Sequence, residues 1–185
     1  LRVLNILLFI LIVAVAGAAF FRSHPPLPVY GMIPDFQLTE RSGKIITNQD
    51  LQGKVWIADI IFTRCAGVCP MMSSKMQKLT QKLPKAHFVS FTTDPDYDTP
   101  QVLSTYAGWY QADPERWLFL TGSKETLSAV TTGFKMNMID EPAMHSERFV
   151  LVDKEGKLRG FYDSNDAAEM RRLVRDARSL SGSLK

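Results

Sequence analysis

Cys65 and Cys69 are the only thiols in the 185-residue chain, and they lie four positions apart in Phe62-Thr63-Arg64-Cys65-Ala66-Gly67-Val68-Cys69-Pro70. A pair at this spacing has two chemistries open to it. It can cycle between dithiol and disulfide if its Cα atoms come within about 4.4 to 6.8 Å, or, as two thiolates, it can hold a soft metal ion. Three intervening residues make a wider loop than the common two, and Gly67 gives that loop freedom to turn both sulfurs toward one point. Pro70 is best tolerated in the first turn of a helix, which places Cys69 near a helix N-terminus. Exposed amide ends favour a thiolate there, and neighbouring Arg64 is expected to add to the effect. The bland alternatives are two inert buried cysteines, or a structural disulfide, whose entropic gain is smallest for so short a loop.

Two sulfurs leave a metal site open, so a further ligand is sought among the three histidines, His24, His87 and His145. His24 lies in a Pro-rich stretch and reads as solvated, whereas His87 opens an apolar run and reads as structural. His145, in Met144-His145-Ser146-Glu147, immediately precedes the apolar run Phe149 to Val152. From the residues alone it is either a ligand or an ordinary loop histidine. Met71, Met72 and Met76 follow the cysteines, and Met136, Met138 and Met144 precede the histidine. Cu(I) accepts thioethers, but adaptable packing is the simpler role for these side chains. Asp94-x-Asp96-x-Asp98 matches the first positions of a calcium loop, yet Thr99 stands where that loop needs Gly and Thr105 where it needs Glu. It reads instead as a strand-to-helix turn with capping acids.

The elements that must position these residues alternate. Buried strands are expected at Val55 to Phe62, Phe88 to Thr92, Trp117 to Leu120 and Phe149 to Val152, with helices at about 70–83, 100–111 and 124–132 between them. Thr99-Pro100 is a good helix start. Leu158 to Tyr162 closes a hairpin across Lys154-Glu155-Gly156-Lys157, and a helix from about Asp166 to Leu180 ends the chain. Consecutive parallel strands need helical crossovers, which this spacing provides. The expected fold is an α/β sandwich with a mixed sheet, of thioredoxin-like type, which places reactive thiols where a strand passes into a helix.

Length and composition leave room for one ordinary domain. An apolar fraction of 45% excludes a disordered chain, and two cysteines exclude a disulfide-dense scaffold and a four-Cys zinc site. A formal charge of +3, with both signs interleaved, shows no nucleic-acid footprint. Arg171, Arg172, Arg175 and Arg178 are paired with Glu169 and Asp176 and read as a solvated helix face. The apolar excess is local: Val3 to Phe21 is interrupted only by Asn5 and Gly17, long enough to cross a hydrocarbon core of about 30 Å as a helix. Residues 1–22 are therefore expected to form a retained transmembrane anchor, with a cleaved signal peptide as the alternative because Ala14-Val15-Ala16 and Ala16-Gly17-Ala18 are small-x-small triplets; 23–31 read as a Pro-rich spacer and 32–185 as the functional domain, on one side of a membrane and outside the cytoplasm. Neither cysteine lies near the apolar segment, so no lipid anchor is indicated.

The chain resembles the Sco/SenC family of membrane-anchored, thioredoxin-like copper proteins that assist cytochrome c oxidase assembly. The resemblance rests on the N-terminal segment, Asp35-Phe36-x-Leu38, Phe62-Thr63-x-Cys65-x-x-x-Cys69-Pro70, Asp94-Pro95-x-x-Asp98-Thr99, and His145-Ser146 before a strand ending in Asp153. It implies that Cys65, Cys69 and His145 are copper ligands for Cu(I) and also Cu(II). The implied partner is the copper-bearing oxidase subunit, with a second periplasmic copper chaperone or a thiol reductant as further partners. The implied setting is the bacterial cytoplasmic membrane with the domain periplasmic, the mitochondrial inner membrane being the alternative. Two other functions compete: a thiol-disulfide oxidoreductase using Cys65 and Cys69 as its redox pair, and, more weakly, a thiol peroxidase.

Overall fold

The computed structural model describes residues 5, 6, 8–13, 26–134 and 147–182. Among the described residues eight strands form one sheet: β1 (Gly31–Met32), β2 (Gln37–Glu40), β3 (Ile45–Thr47), β4 (Trp56–Ile61), β5 (His87–Thr92), β6 (Trp117–Thr121), β7 (Arg148–Val152) and β8 (Lys157–Asp163). Helices α1 (Val68–Lys82), α2 (Pro100–Trp109), α3 (Lys124–Gly133) and α4 (Ala167–Leu180) complete the fold, with a 3-10 turn at Asn48–Leu51. The strand order is β1-β8-β7-β4-β5-β6-β2-β3. Strands β4, β5 and β6 run parallel, while β7 lies antiparallel to β4 and β2 antiparallel to β6. The sheet is therefore mixed, as expected.

Alternation along β4 sorts its side chains to two cores, because successive residues point to opposite faces. Ile57 and Ile61 join Met72, Met76 and Leu79 of α1, Leu103 and Tyr106 of α2, and Leu173 and Ala177 of α4. Trp56, Ala58 and Ile60 join Leu127 and Val130 of α3 together with Phe36, Leu38 and Leu51. By the same alternation Asp59 falls on the α1 face. Both faces of β4 are covered, which explains its continuous apolar run.

Local signals account for the helix starts. Thr99 caps α2, its Oγ1 accepting from the Val102 amide at 3.3 Å, and Asp166 caps α4 through the amides of Ala168 and Glu169. The three N-terminal strands were not expected from the sequence. They are two to four residues long and carry no apolar run, and long-range pairing with β6 and β8 makes them strands. Of the Pro-rich stretch, the part from Pro26 onward lies against the domain: Arg159 donates to the Leu27 carbonyl at 2.6 Å and the Pro28 carbonyl at 3.0 Å. The described residues of the N-terminal segment are helical, with Ile6, Leu8, Phe9, Ile10, Leu11, Ile12 and Val13 exposed. Among the described residues no helix is long and apolar enough to cross a membrane.

Candidate metal centre

Strand β4 ends at Ile61, and the next six residues turn the chain into α1, whose first residues are Val68 and Cys69. No side chain caps α1 at Gly67 in the usual way, so its first amides need another acceptor. Cys65 supplies it: the Cys69 amide donates to Cys65 Sγ at 3.4 Å. Both cysteines are buried, while Ala66 and Gly67 between them are exposed. The freedom expected of Gly67 is not drawn on through a left-handed conformation, since its φ is −124°.

The two thiols are made unequal by their surroundings. Burial works to raise the Cys65 thiol, but the amides of Cys69, Gly67 and Val68 and the Cys69 thiol stabilise its thiolate, and the balance lies below the ordinary value. Burial pushes the Cys69 thiol up to about 12, and the hydrogen bond it shares with Cys65, the charge of Cys65 and the charge of Asp59 act in the same direction. The pair thus favours a thiolate at Cys65, with the proton retained at Cys69. Arg64 does not take the part expected of it. Its guanidinium binds Asp94 Oδ2 at 2.5 and 2.9 Å and stacks over Tyr97 at 4.4 Å, so its charge is committed to the neighbouring loop.

The acidic loop holds the cysteine loop in place. Asp98 is fully buried and accepts from the Thr63 amide at 3.1 Å, from the Thr63 hydroxyl, and from Thr92 Oγ1 at 2.5 Å. Asp94 pairs with Arg64 and Asp96 with Lys124. Each carboxylate of the motif therefore has a protein partner, and a cleft of about 460 Å³ opens between Phe62, Arg64, Asp94 and Lys124. Asp98→Ala would leave the Thr63 amide and two hydroxyls without their acceptor. Its expected cost is about 2 to 3 kcal/mol, read as a lower urea midpoint at unchanged slope; an unaltered midpoint would contradict this anchoring role.

His87 pairs with Trp56 at the start of β4, whereas the cysteines follow its end, a separation of about 16 Å at 3.3 Å per residue. It cannot share their site. His145 and His24 lie outside the described residues, as do Met136, Met138, Met144 and Pro142. Met72 and Met76 are core side chains, while Met71 is exposed. Among the described residues no group of three or more His, Cys, Asp or Glu could hold a metal ion. Cys65 and Cys69 are brought together as the sequence implied. Sequence reasoning missed Asp59, although a lone acid inside the apolar run Val55 to Phe62 was its signal.

The chain and its fold have counterparts among known proteins. The SCO1/SenC family model matches residues 28–180. A SCO1/SenC family lipoprotein from Bacillus anthracis is 34% identical, covering 83% of this chain and 97% of its own, with a TM-score of 0.73. BsSco, a member of the Sco family of cytochrome c oxidase assembly proteins in which a disulfide switch was identified, is 28% identical over 86% of this chain and 99% of its own, with a TM-score of 0.75. Arabidopsis thaliana ScoI, solved with copper bound, is 25% identical over 80% of this chain and 99% of its own, with a TM-score of 0.68. The chain belongs to the SCO1/SenC family.

Proposed function

We propose that this protein is a copper metallochaperone that takes copper as cargo on Cys65, Cys69 and His145 and passes it to the dinuclear copper centre of cytochrome c oxidase during assembly. The observation that carries the reading is the adjacent thiol pair at the mouth of α1, with Cys65 Sγ accepting the Cys69 amide at 3.4 Å. Two sulfurs suit Cu(I), and an imidazole extends the set to Cu(II). In this reading residues 1–22 anchor the chain, 23–31 link it, and 32–185 form an extracytoplasmic copper-binding domain. The apolar run Val3 to Phe21 supports that arrangement. The family relation supports the oxidase subunit as acceptor, and copper bound to a relative supports the cargo.

The unequal thiols suit loading and release. Copper binding to the pair displaces the proton held at Cys69, and a three-ligand site leaves a position at which an acceptor's ligand can attack. The pair must be in its dithiol form before loading, since a disulfide offers no thiolate. The same inequality favours a second reading, reduction of the acceptor's cysteines. There the Cys65 thiolate attacks an acceptor disulfide and releases one acceptor thiolate. Cys69, losing its proton, then displaces the second acceptor thiolate and closes the Cys65–Cys69 disulfide.

An anaerobic Cu(I) competition titration of the full chain tests the choice. One copper per chain is expected, with His145→Ala weakening affinity by about ten- to a hundredfold and leaving the exchange rate with a disulfide substrate unchanged. Unaltered copper affinity in His145→Ala would overturn the three-ligand site and leave the reductase reading in possession.

A further inference from the structure

The end of the domain opposite the cysteines is basic. Cys69 lies in the first turn of α1 and Lys82 in its last, about 20 Å apart at 1.5 Å per residue. There Lys82, Lys85 and Arg178 line a cleft of about 370 Å³ with Pro84 and Gly182, and among the described residues no carboxylate lines it. All three basic side chains are exposed. The Arg178 guanidinium donates to the Lys82 carbonyl at 3.3 Å, which sets the last turn of α4 beside that of α1. Arg116 donates to the Pro84 carbonyl at 3.2 Å and takes Asp113 as its own partner at 3.1 Å. Trp109 closes α2 at this end: the adjoining Tyr110 carbonyl accepts from Gln77 of α1 at 2.8 Å. Trp109 is 69% exposed, whereas Trp56 and Trp117 are fully buried. The Pro-rich stretch meets the domain at the same end. The Arg159 guanidinium that holds the Leu27 and Pro28 carbonyls also pairs with Asp153 at 2.6 Å. Asp153 follows Val152, which lies opposite Trp56 at the start of β4, whereas the thiols follow the other end of that strand.

We propose that this end of the domain docks on the anionic lipid headgroups of a bilayer, with Lys82, Lys85 and Arg178 against phosphate groups and Trp109 at headgroup level. The inference rests on the reading of residues 1–22 as a membrane anchor given above, since a linker fixed at Leu27 then holds this end of the domain nearest the bilayer. A Lys or Arg close to an acidic lipid surface gains about fivefold in binding, and the amphipathic ring of tryptophan suits the interface between lipid and water. A basic residue in the last turn of a helix also complements the helix dipole. That accounts for Lys82 and Arg178, but not for Lys85, which lies past the end of α1, nor for an exposed tryptophan at the same end. Docked in this way, α1 meets the lipid by its C-terminal end. Cys65 and Cys69 are then held about 20 Å from the headgroups and turned away from them, open to an acceptor.

The test uses the full chain in phosphatidylcholine vesicles with and without phosphatidylglycerol, part of the lipid carrying a nitroxide on its headgroup. Because Trp109 is the one exposed tryptophan of the three, quenching of tryptophan emission reports this end at the lipid surface. Strong quenching is expected with phosphatidylglycerol and little without it, and raised salt should abolish the difference. The triple variant Lys82→Gln, Lys85→Gln, Arg178→Gln should lower the ratio of docked to undocked protein by about a hundredfold, with the melting temperature of the wild type. Flotation of the vesicles separates this from the anchor. A chain that floats with both lipids but is quenched equally in both, or equally in the triple variant, would overturn the docking face and leave the anchor standing, with an acidic protein as the remaining occupant of the basic end. Flotation only with phosphatidylglycerol, lost in the triple variant, would remove the anchor and keep the docking face. No flotation with either lipid would remove both.

Discussion

Replacing Cys65 by serine is expected to lower Cu(I) affinity by at least about a thousandfold, roughly 4 kcal/mol. Serine keeps the shape and can still accept from the Cys69 amide, but a neutral hydroxyl replaces a polarizable thiolate as donor to a soft ion. Cys69→Ser should cost a similar factor, because a site reduced to one sulfur and one nitrogen no longer outcompetes a chromophoric Cu(I) chelator. The two variants part in thiol chemistry. Cys65 sits where the amides of Gly67, Val68 and Cys69 stabilise its anion, so Cys69→Ser should retain a thiol that iodoacetamide alkylates readily at neutral pH. In Cys65→Ser the remaining thiol is the one pushed up to about 12 by burial, and alkylation should be slow. Cu(I) affinity within tenfold of the wild type in either variant would remove the pair from the metal site.

The core of this site was legible because its signals are local. An apolar run, a loop and a proline within residues 55–70 suffice to place thiols between a buried strand and a helix N-terminus, and Thr99-Pro100 announces α2 in the same way. The roles that sequence did not disclose are all long-range. Asp98 reaches Thr63 across 35 residues, so the acidic motif could be read as a turn but not as the clamp on the cysteine loop. Arg64 was assigned to the thiols by proximity in the chain, while tertiary geometry gives it Asp94 and Tyr97. Strands β1 to β3 escaped because strands of two to four residues carry too little pattern to be distinguished from loop.

The pH dependence of stability should carry the mark of Asp59. Its side chain is fully buried on β4. Oδ1 accepts from Ser90 Oγ at 2.6 Å, and Ser90 Oγ accepts from Trp117 Nε1 at 3.0 Å, but Oδ2 has no partner. Burial raises this carboxyl from 3.8 to about 7, the Ser90 hydrogen bond opposing the shift only in part. The unfolded chain therefore ionises Asp59 at about pH 4 while the native protein still holds the proton. Between those values the native state binds more protons, so stability falls as pH rises, and the loss levels off once the native carboxyl itself ionises near pH 7. Three pH units at 1.36 kcal/mol each bound the effect at about 4 kcal/mol. Asp59→Asn keeps the shape and stays neutral, so it should match the wild type near pH 4 and exceed it by several kcal/mol at pH 8 in urea unfolding. A gap of the same size at both pH values would show that the carboxyl does not titrate with folding. The variant should also ease ionisation of Cys69, whose thiol the Asp59 charge helps to keep protonated. The stability given up at neutral pH is thus localised on the α1 face, beneath the thiol that must lose its proton for either proposed chemistry.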